Sequence, residues 1–239
     1  MTAHDVVRAL PDIESLRNLC RSIAMAEAIL NPDGERDHIF APAWSPTESL
    51  ASMRNGSGDE YDIVFSPAGA YIRGFDHESP MSPYAHDDVP TPWPGVLDSV
   101  PGAFRRYVDE PAFTVEDGTP AVTVCVWRET GAPSWSTGRI TYPESHPDPD
   151  GSEWLFDLLI HPTPEAFKEY AEDYYEMPVD IEALRHLYAL RPLEGAQITA
   201  LNPAASVPEI TATAMAMSFP IADGLRPGNG LTDPEARSA

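Results

Sequence analysis

A chain of 239 residues, 42% of them hydrophobic, is long enough to bury a sizeable core and too apolar for a disordered polymer. Thirty-eight Asp and Glu against fifteen Lys and Arg leave a net charge of −23 and a pI near 4.4, which argues against nucleic-acid backbones and anionic membrane surfaces as partners and favours a basic protein. No run approaches the roughly 18 consecutive apolar residues of a membrane span, and MTAHDVVRAL lacks the basic-then-apolar order of a signal peptide, so the expectation is a cytoplasmic protein.

Lysine is nearly absent: fourteen arginines accompany the single Lys168. Together with abundant Ala, Pro, Gly and Asp, this points to a GC-rich genome such as an actinobacterium's, and excess acid with scarce lysine also fits a halophile. Cys20 and Cys125 sit in apolar patterns far from any CxxC spacing, and both are expected as buried free thiols.

In chain order, Asp12 is placed to cap a helix over 12–30. Ile13, Leu16, Leu19, Cys20, Ile23 and Ile29 recur there at three- and four-residue steps, and Asn31, Pro32, Asp33 and Gly34 end it. Residues 37–44 suit a short strand followed by a turn. The run 45–56 reads as a short helix, with Ser45 as N-cap, Pro46 at the first helical position, Glu48 three residues after the cap and Gly56 beyond the end. Next, Tyr61, Ile63 and Phe65 alternate, Ser66–Gly69 can turn, and 70–75 returns, which predicts an antiparallel hairpin over 60–75.

Residues 79–101 are Pro-rich and predict an extended surface segment. A short helix is expected over 103–108 and a hydrophobic strand over 121–129. From Asp150 the texture becomes helical. Asp150 with Glu153 has the form of a capping box for a helix carrying Trp154, Leu155, Leu158 and Leu159 until Pro162. Pro164 starts a second helix with Phe167, Tyr170, Ala171 and Tyr174 on one face. Asp180 caps a third with Ile181, Leu184, Leu187 and Tyr188 inward, and 194–202 and 206–217 supply two more. This order predicts an α+β fold: an N-terminal helix, a small antiparallel sheet built around the 60–75 hairpin, and a helical C-terminal half. Residues 1–222 are expected as one domain and 223–239 as a disordered tail.

Histidines with acidic neighbours recur at Asp76-His77-Glu78, at His86-Asp87-Asp88, and at His146, Asp148 and Asp150. Nitrogen and oxygen donors of this kind suit zinc, manganese or non-haem iron. On a continuing strand, however, Asp76 and Glu78 point one way and His77 the other, so they converge only if the strand ends by residue 76. DPDGSE (148–153) fails as a calcium loop, since its glycine is fourth rather than sixth and Leu159 stands where the loop needs a glutamate. No nucleophile elbow, phosphate loop or dinucleotide fingerprint is present, and no cofactor is implied. Trp44, Trp93 and Trp135 lie in Pro- or Ser-rich loops, as protein-binding anchors or as lids over a core edge. Arg54, Arg73 and Arg105-Arg106 are expected to be paired internally, one of them holding Asp76 or Glu78.

At SMRNGSGDEYDIVF, GFDHESPMSPY and EPAF the chain resembles a group of acidic bacterial cytosolic proteins of uncharacterised activity, over roughly residues 15–203. No catalytic residues carry over from that resemblance. In size, acidity and α+β texture it also resembles immunity proteins that neutralise bacterial toxins, which implies a basic protein partner. The expected function is therefore a non-catalytic protein-binding module, immunity-like, with Trp44, Trp93 and Trp135 as anchors. The alternative is a metal-assisted hydrolase using Asp76, His77, Glu78 and His86.

Overall fold

The computed structural model describes residues 1–85, 89–114, 118–144 and 146–226. Two helices, α1 (Ala3–Ala9) and α2 (Ile13–Leu30), lead into strands β1 (His38–Ser45), β2 (Glu48–Arg54), β3 (Glu60–Ser66) and β4 (Gly69–Phe75). After a turn-rich stretch come α3 (Arg105–Val108), β5 (Val124–Glu129) and β6 (Ser136–Thr137). The chain then turns helical through α4 (Ser152–Leu155), α5 (Asp157–Ile160), α6 (Pro164–Tyr175), α7 (Ile181–Tyr188), α8 (Gly195–Leu201) and α9 (Val207–Ala216). The strands form one antiparallel meander in the order β1-β2-β3-β4-β5-β6. This is the α+β architecture the residue pattern predicts.

Alternation along the strands sorts side chains between two cores. Phe40, Ala51, Met53, Tyr61, Ile63, Phe65, Ile72, Val124 and Val126 face the helices and pack with α2 and the C-terminal half. Val64, Tyr71, Cys125 and Trp127 face the opposite way. There they meet Met81, Val96, Leu97, Val100, Phe104, Tyr107 and Phe113, all buried. The described parts of the Pro-rich segment, 79–85 and 89–101, thus help cover the second face of the sheet, which corrects the extended surface reading. Its prolines break regular structure, and its apolar residues still bury.

The helix expected over 45–56 is strand β2, a second correction. Ser45 and Glu48 do interact, the hydroxyl donating to the carboxylate at 2.9 Å, but across the tight β1–β2 turn instead of a helix N-terminus. Pairing with β1 on one side and β3 on the other overrides the local capping signature. Helix α2 forms as expected, with Asp12 accepting from the N–H groups of Glu14 and Ser15, both at 3.0 Å. No element was expected before Asp12, yet α1 forms, its start tied to the carboxylate of Asp150 by the Ala3 N–H at 2.8 Å.

Asp150 also accepts from the Ser152 N–H, while Asp148 takes the N–H groups of Glu153 and Trp154, so the two acids share the cap expected of one. In α6, Phe167 and Ala171 are buried, but Tyr174 is exposed. The chain after α9 is pinned by Leu193, whose N–H and C=O bond Pro220 and Ala222, and a 3₁₀ turn follows at Asp223–Leu225. The rest of the segment expected as a tail, 227–239, lies outside the described residues.

Candidate site: an acidic cleft at the start of the sheet

The described polar groups with the most chemistry gather where α2, the entry to β1 and the face of α6 meet. Glu27 lies on the buried stripe of α2, one turn after Ile23, and is fully buried. Its Oε2 accepts the His38 backbone N–H and its Oε1 the His38 ring at Nδ1, both at 2.8 Å. A carboxylate only accepts, so Nδ1 carries the proton, and in that tautomer of the neutral ring Nε2 is an acceptor. The Tyr170 hydroxyl lies 3.3 Å from Glu27 Oε1 and 3.3 Å from Asp37 Oδ2, and Tyr174 donates to Asp37 Oδ1 at 3.1 Å. Burial, reinforced by the Glu27 charge, pushes the Asp37 carboxyl up. Burial and the same carboxylates push Tyr170 far up, which leaves it a donor.

Beside this cluster opens a cleft of about 120 Å³. Met53, Leu155, Leu158 and the half-exposed Trp154 give it an apolar floor, and Asp37, His38, Asn55, Asp157 and Tyr170 line the rest. A wider hollow of about 480 Å³ adjoins it, sharing Asp37 and Asn55 and running past Arg36, Ile39, Arg54 and Tyr174.

Asn55 links the cleft to a second cluster. Its Nδ2 donates to Asp59 Oδ2 at 2.9 Å, and Asp59 Oδ1 accepts from the His77 N–H at 3.0 Å and from ring Nδ1 at 2.7 Å. Strand β4 ends at Phe75, and Asp76–Ser79 form a turn in which Asp76 Oδ1 accepts from the N–H groups of Glu78 and Ser79. The strand therefore stops where convergence becomes allowed. Ligand atoms of Asp59, Asp76 and His77 all lie within 4.8 Å of one another. Burial raises Asp59, but hydrogen bonds from His77 and Asn55 outweigh it and hold the carboxyl below its ordinary value. The hydrogen bond to Asp59 raises His77. Burial raises Asp76, and the Asp59 and Asp148 charges add to that. Gly151 packs over Asp76 with φ +71°, where a Cβ would collide with the Asp76 side chain.

This differs from the expected donor set. Glu78 is exposed, with Oε1 4.0 Å from His77 Nε2, and His86 lies outside the described residues. Asp59 takes the place given to Glu78. The hairpin register carries the missed signal: Glu60 pairs with Phe75, so Asp59 must stand opposite Asp76. The arginines are paired internally, Arg54 and Arg73 with Glu60 and Asp62, and Arg106 with Glu48, while Arg105 donates to the Leu97 carbonyl. None of them holds Asp76 or Glu78, whose turn is closed by backbone N–H groups instead.

The three tryptophans lie apart from the cleft. Trp135 is buried in the first core and donates to the Pro11 carbonyl. Trp44, half-buried, stacks on Phe113, and Trp93, half-buried, donates to the Thr141 carbonyl. Trp154, assigned from its spacing to a helix face, is the one that lines the cleft. Both cysteines are buried free thiols, pushed by burial up to about 12, which makes them poor nucleophiles.

No protein-family model, no curated protein and no solved structure matches this chain. What the site can do therefore rests on its own geometry. No described helix is long and apolar enough to cross a membrane.

Proposed function

We propose that this chain is a non-catalytic protein-binding module, immunity-like, that docks a basic protein partner at the acidic cleft. The observation that carries the reading is an apolar floor with a half-exposed tryptophan, rimmed by Asp37 and Asp157, on a chain of net charge −23. An exposed aromatic beside an apolar hollow is the chemistry of an interface anchor, and the surrounding negative field speeds encounter with a cation-rich surface. Trp44 and Trp93, each with an edge still open to solvent, extend the reading to a second contact area on the opposite face of the sheet.

The test is a pull-down from the native host over a salt series. The expected result is a partner of high pI, held at low salt and released as salt shortens the Debye length below about 10 Å. Against that purified partner, Trp154→Ala is expected to weaken binding by roughly 2 kcal/mol, the scale of an interface hot spot. Recovery of no basic protein at low salt, or affinity indifferent to Trp154, would overturn the reading.

A second reading is supported by Asp59, Asp76 and His77, whose donor atoms approach closely enough for one divalent ion. Two carboxylates and an imidazole suit zinc, manganese or iron(II), and three protein ligands leave room for the water of a metal-assisted hydrolase. Equilibrium dialysis against each metal, followed by elemental analysis, is expected to give one ion per chain, lost in His77→Ala and in Asp59→Ala. Sub-stoichiometric metal in the unmodified protein removes this reading and leaves the docking reading untouched.

A further inference from the structure

The cleft at Asp37 and His38 offers acceptors and negative charge, and nothing positive among its lining residues. The His38 side chain is 9% exposed, its Nδ1 is held by Glu27, and its Nε2 makes no hydrogen bond among the described residues although the ring lines the cleft. Open to the cleft and without a partner among the described residues, Nε2 can meet a donor that enters from outside. Beside it, the buried Asp37 carboxylate spends one oxygen on each tyrosine hydroxyl and keeps lone pairs for another donor. Glu27, fully buried, shares the Tyr170 hydroxyl with Asp37. Neither acid has a Lys or Arg partner among the described residues, so this end of the cleft can take a cation from outside.

We propose that the cleft is a pocket for a single arginine side chain presented by the partner, a deepening that rests on the docking reading above. The planar guanidinium supplies donors in a fixed fork, and two acceptors of different chemistry, Asp37 and His38 Nε2, stand at the same wall. The alkyl stem takes the floor of Met53 and Leu158, and the Trp154 ring offers a face on which a guanidinium stacks. An ammonium carries the same charge but cannot fork or stack in this way, so lysine is the weaker ligand. Two arginines line the adjoining hollow: Arg54, held by Glu60 and Asp62, and Arg36, which makes no hydrogen bond or ion pair among the described residues.

The probe is a blocked arginine tripeptide, with lysine and citrulline versions of the same tripeptide as controls. Citrulline keeps the shape and removes the charge. Binding is read by the part of the tryptophan fluorescence change that Trp154→Phe abolishes and by NMR shifts of cleft amides. The arginine probe is expected to bind with a Kd of about 1 mM, as suits one side chain in one pocket, the lysine probe more weakly, and the citrulline probe not at all. Asp37→Asn is expected to weaken the arginine probe about thirtyfold or more. Asp157→Asn, at an exposed residue that leaves the buried cluster intact, is expected to weaken it by a smaller factor, which keeps the test open should Asp37→Asn unfold. Equal binding of the arginine and citrulline probes, or shifts that map away from Trp154 and His38, overturns the pocket. If the probe fails while the native host still yields a basic partner sensitive to Trp154, the pocket falls and the docking reading stands. If no basic partner is recovered and the arginine probe still binds, the docking reading falls alone.

Discussion

Replacing Arg73 with methionine is expected to destabilise the fold by about 3–5 kcal/mol, the cost of breaking a buried ion pair from one side. Arg73 and Asp62 are cross-strand neighbours in β3 and β4, and both are almost fully buried. Arg73 bonds Asp62, reaches Glu60 at 2.6 Å, donates to the Ala121 carbonyl at 2.7 Å, and places its guanidinium 4.9 Å from the centre of the Phe113 ring. Burial raises Asp62, and attraction from Arg73 and then Arg54 pulls it back. Without Arg73, Arg54 alone faces two carboxylates, and its side chain is 41% exposed to solvent. Because domains of ordinary stability hold only about 5–15 kcal/mol, the single change consumes a large share. Urea unfolding at neutral pH measures it, as a fall in midpoint at unchanged m-value. The double variant Arg73→Met with Asp62→Leu is expected to recover most of the loss, since a well-packed apolar pair costs no desolvation. A single-variant loss below about 1 kcal/mol, the scale of an exposed ion pair, would mean that Arg54 alone satisfies Asp62.

The same pair shows how far the sequence reaches. Helix α2, the 60–75 hairpin and the C-terminal helices follow from local signals: a cap at Asp12, alternation at Tyr61, Ile63 and Phe65, a cap at Asp180. Strand β2 does not, because Ser45, Pro46 and Glu48 satisfy a helix rule as well as a turn, and only the neighbouring strands decide between them. The buried role of Met81, Val96, Leu97 and Val100 is hidden for a similar reason. Proline removes the periodicity by which burial is read, yet leaves hydrophobicity intact. At the site, Asp76 and His77 are visible by composition, while Asp59 needs the hairpin register carried one residue further. Glu27 had a local signal, an acid on the apolar stripe of α2, but its partner His38 lies across a chain reversal that no spacing encodes. The cleft is harder still, since Met53, Trp154 and Tyr170 come together only through packing.

Acidification from pH 7 toward pH 5 is expected to stabilise this protein, against the usual behaviour of carboxylates held by partners. Burial raises Asp37, Asp62, Asp76 and Asp150 above the ordinary carboxylate value. For each, the folded chain takes up its proton at a higher pH than the unfolded chain does. Unfolding then releases protons, so stability rises as pH falls through the folded-state values, and the gain is complete near the unfolded value of about 3.9. Every tenfold difference in proton affinity is worth about 1.4 kcal/mol at that plateau. His77 acts in the same direction: raised by Asp59, its contribution is present below about 6.5 and fades as pH climbs through its folded value. Relief of self-repulsion at net charge −23 adds to both. Of the opposing acids with lowered values, Asp5, Asp12, Glu165 and Glu172 lie at the surface, where solvent screens their partners, and Asp59 is buried and held by His77 and Asn55. Their losses begin as pH falls to the unfolded values of about 4 and deepen below them. Urea midpoints at pH 7, 6 and 5 check the sign, and repetition in high salt separates the two causes. Repulsion among surface charges is screened there, whereas the contribution of buried carboxyls persists. Asp150→Asn removes one of the four titrations, and is expected to flatten the slope without reversing it. Stability that falls steadily from pH 7 to pH 5 would mean that the buried carboxyls are held ionised by their hydrogen bonds, and that the cleft and the turn at Asp76 carry a permanent rather than a titratable negative charge.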